Sequence, residues 1–229
     1  MSVPVSRVVT VSATYGAGGA VIAPLLAKRL GLPFADRLGP KAGIVTGVEG
    51  VTDEERKIEP RGALAEGLLL LSTAWSMPTP RDPDDLPEQI RARIESDIET
   101  FVTGSGAVIL GRAAAAVLAG RPGAFHVRLD GPEERRAQRG AAWEHVDMEE
   151  ARSRLREADS MRAKYMKRLY HRDQSDPTLY HLTLDPTVIG AAASIDVIAQ
   201  AAQAFWAHDD ATLVDDVERM RSELAAALE

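Results

Sequence analysis

Two hydrophobic periods alternate along this chain, and the switches between them mark its elements. Arg7-Val8-Val9-Thr10-Val11-Ser12 is a β-branched run that stops at a glycine cluster, Tyr15-Gly16-Ala17-Gly18-Gly19. Beyond the glycines, Val21, Ile22, Leu25, Leu26 and Leu30 fall at helical spacing, and Gly31 closes that helix. Residues 32–35 predict a second short strand. From about 39 to 104 no convincing strand is found: a polar loop (39–52), a helix (about 53–75), a proline-rich break with Pro78, Pro80, Pro83 and Pro87, then a helix (about 87–103). The alternation resumes with Ala107-Val108-Ile109-Leu110, a turn at Gly111-Arg112, and an alanine-rich helix to Ala119. A strand over 125–129, a helix from Pro132 to about 140, a long helix over about 147–170, a strand over 181–185 and a helix over 194–207 complete the pattern. Five strands with helical crossovers imply a parallel, three-layer α/β sheet interrupted by a helical insertion.

Past that body, Leu213, Val217, Met220, Leu224 and Ala227 are spaced 4, 3, 4, 3, a heptad stripe about two repeats long. The stripe either packs on this chain's own body or forms a small homodimer seam. Charge singles out the same segment. The 229 residues carry a net charge of −7, of which residues 207–229 account for −5, leaving the body close to neutral. A globally acidic chain is a poor nonspecific binder of nucleic acid or membrane surfaces, so neither partner is expected.

Cysteine is absent, which excludes disulfides, zinc thiolates and cysteine nucleophiles. The first seven residues lack the basic and apolar regions of a signal peptide. The longest oily stretch recognised, residues 63–71, falls short of the ~20 residues a membrane span needs. A cytoplasmic protein is expected. The five histidines show no metal-ligand spacing, and no serine–histidine arrangement suggests a hydrolase.

A glycine loop between a strand and a helix N-terminus presents free N–H groups to phosphate. Gly16-Ala17-Gly18-Gly19 fits that description, although many such loops are plain tight turns. Two templates compete. The dinucleotide fingerprint G-x-G-x-x-G/A finds Gly16, Gly18 and an acid at Asp36, but Val21 spoils its third glycine. The mononucleotide P-loop G-x-x-x-x-G-K-[ST] finds Gly19 where lysine belongs and Ala20 where the magnesium-binding hydroxyl belongs.

The blocks taken together resemble the cytidylate kinase-like family, a branch of the nucleoside monophosphate kinases. The resemblance rests on Val8-Val9-Thr10-Val11-Ser12, on Tyr15-Gly16-Ala17-Gly18-Gly19, and on Leu30-Gly31-Leu32-Pro33-Phe34-Ala35-Asp36-Arg37. Further on it rests on Val108-Ile109-Leu110-Gly111-Arg112, Glu133-Glu134-Arg135-Arg136, Asp159-Ser160-Met161-Arg162-Ala163-Lys164-Tyr165, and Asp176-Pro177-Thr178-Leu179-Tyr180. It spans roughly residues 7–206. It implies a P-loop kinase fold over residues 1–208, with an acceptor-binding insertion at about 39–104 and a lid at about 160–178, followed by an acidic amphipathic helix over 209–229.

The same resemblance implies an activity: transfer of the γ-phosphoryl group of ATP to CMP or a related acceptor, with Mg2+ held mainly by the nucleotide. Tyr15, Gly16, Ala17, Gly18, Gly19 and Ala20 would bind ATP phosphates. Arg112, Asp36 and Asp159 would address the acceptor, and the lid cations Arg162, Lys164 and Arg168 would neutralise the transferring phosphate. For each there is a plainer alternative: a surface arginine at a strand end, an Asp36–Arg37 pair, or a solvated helix face with ion pairs among Arg156, Asp159 and Arg162. Arg135, Arg136 and Arg139 either flank the adenine side or stay in solvent.

The loop departs from the family pattern. An arginine and a glutamate usually precede the loop tyrosine and an arginine follows the double glycine, but this chain has Ala13, Thr14 and Ala20 there. The loop therefore offers backbone donors and no charged side chain. A catalytically impaired, nucleotide-binding pseudokinase is the alternative function, and Gly19→Lys or Ala20→Arg is the direct way to restore a loop cation.

Overall fold

The computed structural model describes residues 6–35, 91–92, 95–96, 98–100, 102–111, 113–207 and 210–227, with the backbone alone at 210–216. Asp36, Arg112 and the expected elements between 39 and 90 lie outside the described residues. Five strands, β1 (Val8–Ala13), β2 (Phe34–Ala35), β3 (Ala107–Leu110), β4 (Ala124–Leu129) and β5 (Leu182–Leu184), form one sheet in the order β2-β3-β1-β4-β5. Every pairing is parallel. The order differs from the 3-2-1-4-5-6 arrangement of dinucleotide-binding sheets. β1 lies at the centre because its β-branched residues can be buried on both faces, as a parallel sheet requires.

Among the described residues the sheet is accompanied by helices α1 (Gly19–Leu30), α2 (Ala114–Val117), α3 (Glu133–Glu144), α4 (Met148–Tyr170), α5 (Pro186–Ala207) and α6 (Asp210–Ala227), besides helical residues within 91–102 and a short 3-10 turn at Pro177–Leu179. The period of two sorts the strands between two cores. Val9, Val11, Val108, Val127 and Leu129 face α1 and α5, where Ile22, Leu26, Ile198 and Ala202 meet them. Val8, Ala107, Ile109 and Ala124 face the other way, against Ile98, Val102, Ala114 and Leu118. Helix, sheet and helix are thus three layers, and the loops after β1, β3, β4 and β5 all emerge at one carboxyl edge.

The start of α5 differs from the sequence expectation for an identifiable reason. α5 begins at Pro186 rather than near 194, because Gly190 (φ 81, ψ 164) joins two helical pieces across a kink. By length and composition α5 could cross a membrane, a feature hidden from a reading of oily runs because Ser194, Asp196 and Gln200 divide it. Its inner face (Ile198, Ala199, Ala202) packs into the core as a sheet-covering helix does. α4 runs unbroken from its cap at Asp147, whose carboxylate accepts the Glu150 N–H, into the segment expected as a lid. Residues 160–170 are therefore regular helix, and Tyr165 and Met166 pack against the chain around α2. α6 leaves its stripe in solvent: Val217, Met220 and Leu224 are 52%, 57% and 61% exposed, so packing on the body is not the arrangement adopted.

Two histidines stack at the sheet, His126 beside Thr10 of β1 and His181 against Phe205 of α5. His126 Nδ1 and Thr10 Oγ1 lie 2.8 Å apart, the His126 N–H donates to His181 Nδ1 at 3.0 Å, and the two rings stack at 5.0 Å. Burial, with His181 alongside, holds the His126 imidazole down at about 4. An unfolded imidazole protonates near pH ~6.5, so between these values the unfolded chain binds more protons and stability falls as the pH drops. Denaturant titrations at pH 8 and pH 5 should show a loss of about 2 kcal/mol from this group. His126→Gln should abolish most of that difference. Equal pH dependence in wild type and variant would contradict the buried, neutral ring.

Candidate active site

The carboxyl edge of β1 carries the glycine loop. Thr14 N–H donates to Leu129 O at 3.1 Å and its hydroxyl to Asp130 Oδ1 at 3.0 Å, so the exit of β1 is tied to the exit of β4. Gly16 (φ 74) and Gly18 (φ 84) are both left-handed, the conformation that glycine adopts without strain. Gly18 is the N-cap of α1, and its carbonyl accepts the Val21 and Ile22 N–H groups at 3.1 and 2.9 Å. The first-turn amides of Gly19 and Ala20 point out of the helix end, where an anion is favoured by donors and dipole together.

What surrounds the loop is packed without slack. A Cβ on Gly16 would lie 2.1 Å from the Arg136 carbonyl oxygen. One on Gly19 would lie 2.5 Å from Ala13 Cβ and 3.2 Å from Leu110 Cδ1. Position 19 is therefore closed to any side chain, and Gly19→Lys cannot restore a loop cation without moving α1 off the sheet. Ala20, by contrast, is exposed. The Tyr15 ring packs on Gly140 of α3, and burial together with Glu144 pushes its hydroxyl well above the usual tyrosine range, so it stays neutral.

Arg136 is the centre of the polar network, and it is only 5% exposed. Its Nε donates to Gly131 O at 2.8 Å, and its Nη1 donates to Tyr15 O at 3.0 Å and to Asp159 Oδ2 at 2.6 Å. Asp159 Oδ1 accepts the Tyr15 N–H at 2.9 Å and Arg162 Nη1 at 3.1 Å. A second pair flanks it. Arg128 reaches Asp130 Oδ2 with Nε at 3.0 Å and Nη2 at 2.6 Å, and its Nη1 donates to Gln174 O at 2.6 Å. Burial opposes ionisation of Asp130, but the Arg128 hydrogen bond and charge, the Gly131 N–H and the Thr14 hydroxyl outweigh it and hold the carboxyl below the usual range.

Of the residues singled out in the sequence, Tyr15 through Ala20 form the loop, and Asp159 and Arg162 stand against it. Asp159, expected on the acceptor side, uses both carboxylate oxygens within the chain. Lys164 and Arg168 are exposed. They follow Asp159 by five and nine residues, which turns them about 140° and about 180° away from the loop on α4. Arg136, expected beside the adenine or in solvent, is instead buried beneath the loop, and sequence reasoning did not single out Arg128 and Asp130. Asp130 was open to the same reasoning as Arg112, since each follows the carboxyl end of a strand.

One further cation reaches the loop. Arg139 Nη2 stands 3.1 Å from where a Cβ on Gly18 would lie, and its Nη1 donates to Pro186 O at 2.6 Å. With Arg135, Gln138, Ala142 and Thr187 it lines a shallow cavity of about 360 Å³. Among the described residues no three histidine, aspartate or glutamate side chains converge as a metal site.

Comparison with known proteins agrees with this layout. The model of the cytidylate kinase-like family matches residues 8–187, and the chain belongs to that family. A cytidylate kinase from Methanopyrus kandleri is 42% identical over 91 residues, which is 35% of this chain and 46% of that protein. The match thus spans less than half the length of that curated relative. An uncharacterized protein from Eubacterium ventriosum shares the fold, with a TM-score of 0.61 at 17% identity over 86% of this chain and 99% of that one. A shikimate kinase from Acinetobacter baumannii superposes more loosely, at a TM-score of 0.44 with 17% identity over 87% of this chain and 94% of its own.

The loop packing gives a graded expectation. Gly31, also left-handed (φ 66), has no atom within 4 Å of the place a Cβ would take, so Gly31→Ala should cost only the ~1–2 kcal/mol of backbone strain. Gly19→Ala should cost about 1–3 kcal/mol from overpacking alone. Gly16→Ala combines strain with a backbone collision and should cost more than either. Urea denaturation of the three variants tests the order; three equal losses would mean that α3 does not lie on the loop.

Proposed function

We propose that this chain is a phosphotransferase of the nucleoside monophosphate kinase type, moving the γ-phosphoryl group of ATP to CMP or a related acceptor. The observation that carries the reading is the glycine loop. Its left-handed glycines open a helix N-terminus at the carboxyl edge of the central strand, with a guanidinium beside it. In the reaction a phosphate oxygen of the acceptor bonds to the γ-phosphorus and the bond from that phosphorus to the β–γ bridging oxygen breaks, leaving ADP and a nucleoside diphosphate. The protein's part is to place two nucleotides in line and to neutralise charge.

Arg139 is the residue we assign to the donor phosphates in place of a loop lysine. It comes from α3, not from the loop, because Gly19 has no room for a side chain. Arg162 would meet the transferring phosphate from α4, while Lys164 and Arg168 face away and carry no role in this reading. Arg112 and Asp36 would serve the acceptor at the ends of β3 and β2. ATP would bring its Mg2+ with it: Ala20 supplies no hydroxyl, and the carboxylates near the loop, Asp130 and Asp159, are already bound to arginines. The base of ATP fits the cavity between α3 and the start of α5, under Arg135 and Arg139.

A second reading is favoured by one observation. Closure of position 19 leaves the loop without any charge of its own, as in a nucleotide-binding protein that has lost turnover. Incubation with Mg-ATP and each nucleoside monophosphate, with products resolved by ion exchange, separates the two. CDP formed from CMP establishes the kinase; ATP binding with no diphosphate from any acceptor establishes the pseudokinase.

Arg139→Ala should weaken ATP binding by roughly tenfold or more, the loss of one charge-assisted hydrogen bond. Ala20→Arg places a guanidinium at an exposed first-turn position and should raise kcat. Unchanged ATP affinity in Arg139→Ala, measured calorimetrically, would remove Arg139 from the phosphate site.

A further inference from the structure

Tyr15 is the last residue before the left-handed turn, and both sides of its backbone are gripped by side chains from distant helices. Its N–H donates to Asp159 Oδ1 at 2.9 Å, and its carbonyl accepts from Arg136 Nη1 at 3.0 Å. The same Arg136 nitrogen binds Asp159 Oδ2 at 2.6 Å, so the two grips form one ion pair closed around the peptide. Arg162 Nη1 adds a third donor to the carboxylate. Asp159 reaches across to a backbone amide 144 residues earlier in the chain.

We propose that Asp159 is a positioning residue that presets the glycine loop, fixing the Tyr15 peptide so that the amides after it are aimed outward before any ligand arrives. The proposal rests on the phosphotransferase reading only for what the loop is preset to hold. The N–H belongs to the Thr14–Tyr15 peptide and the C=O to the Tyr15–Gly16 peptide, so holding both fixes the two peptides that flank Tyr15 and lead into the turn. Without Asp159 that N–H would turn to solvent or into the cradle, and Arg136 would lose the charge that keeps it beneath the loop.

The anchor also has reach. Asp159 lies midway along α4, a 23-residue helix whose later turns pack Tyr165 and Met166 against Ala113, Ala115 and Ala116, just beyond the end of β3. A single rigid element therefore joins the loop to the strand end where an acceptor would sit. Loop conformation and the acceptor side are coupled through it, and Asp159 is the point of attachment.

Amide hydrogen exchange on the ligand-free wild type reads the anchor directly, together with calorimetric titration of ATP. The Tyr15 N–H should be protected at least about 100-fold more than those of Gly19 and Ala20, whose amides have no intrahelical partner. Asp159→Asn keeps the shape and one acceptor oxygen but removes the charge, and should narrow that difference; Asp159→Ala removes both oxygens and should abolish it. In Asp159→Asn the thermal midpoint should fall, since Arg136 loses a buried charged partner. The protein stays folded with β1 protected, and the ATP dissociation constant of that folded protein rises about tenfold, the loss of one charge-assisted interaction. A merely structural carboxylate would lower the midpoint and leave the affinity of the folded fraction alone. Rapid exchange of Tyr15 in the wild type, or unaltered ATP affinity in a folded Asp159→Asn, overturns the proposal. Protected Tyr15 in a wild type that binds no ATP supports the anchor and overturns the nucleotide reading instead.

Discussion

A guanidinium with almost no access to water must be met by acceptors from the chain itself, and Arg136 is such a group. Burying it unpaired would be prohibitive; removing one partner of a buried pair costs about 3–5 kcal/mol. Its acceptors come from three separate places, Tyr15 O after β1, Gly131 O after β4 and Asp159 Oδ2 in α4. Satisfying one side chain therefore brings together the exits of two neighbouring strands and the middle of a long helix. The position of α3 over the glycine loop follows, since the Arg136 carbonyl lies against Gly16 where no Cβ could stand. The tyrosine packed on Gly140 fixes the same helix from its other end.

That packing also explains the unusual chemistry of the loop. In the generic P-loop a lysine directly after the second glycine reaches the phosphates, but Gly19 here is a packing glycine. Its missing side chain is what allows α1 to lie against Ala13 and Leu110. In the proposed function a cation for phosphate enters from elsewhere: α3, already pinned above the loop by Arg136, carries Arg139 to Gly18 one turn further on. On that reading one helix meets stability and charge supply with residues three apart.

Much of the architecture was legible in the residues. The β-branched run, the glycine cluster and the periodic Val21–Leu30 positions predict β1, the loop and α1, and the five strands emerge in one parallel sheet as expected. The seams were less legible. The helix expected over 194–207 begins at Pro186, since Gly190 joins two helical pieces across a kink, whereas α4 ends at Tyr170, where the periodicity put it. The site was readable where backbone chemistry speaks through glycine and opaque where it depends on long-range partners. Arg136 looks in sequence like one of several surface arginines on a charged helix, and its burial is decided by Asp159 and Tyr15, residues 23 and 121 positions away. Lys164 and Arg168 show the converse. Close to Arg162 in sequence, they are separated from it by the turn of the helix.

On the proposed function the loop between β1 and α1 is a preformed cradle for nucleotide phosphate. The most direct measurement is an amide-resolved NMR titration of the isotopically labelled wild type with Mg-ATP. Saturable shifts should concentrate at Gly16 through Ala20 and at the Arg139 side chain, with the strand amides of β1 nearly still. A well-dispersed spectrum in which those amides do not move at saturating Mg-ATP, or in which the shifts gather elsewhere on the molecule, would contradict it.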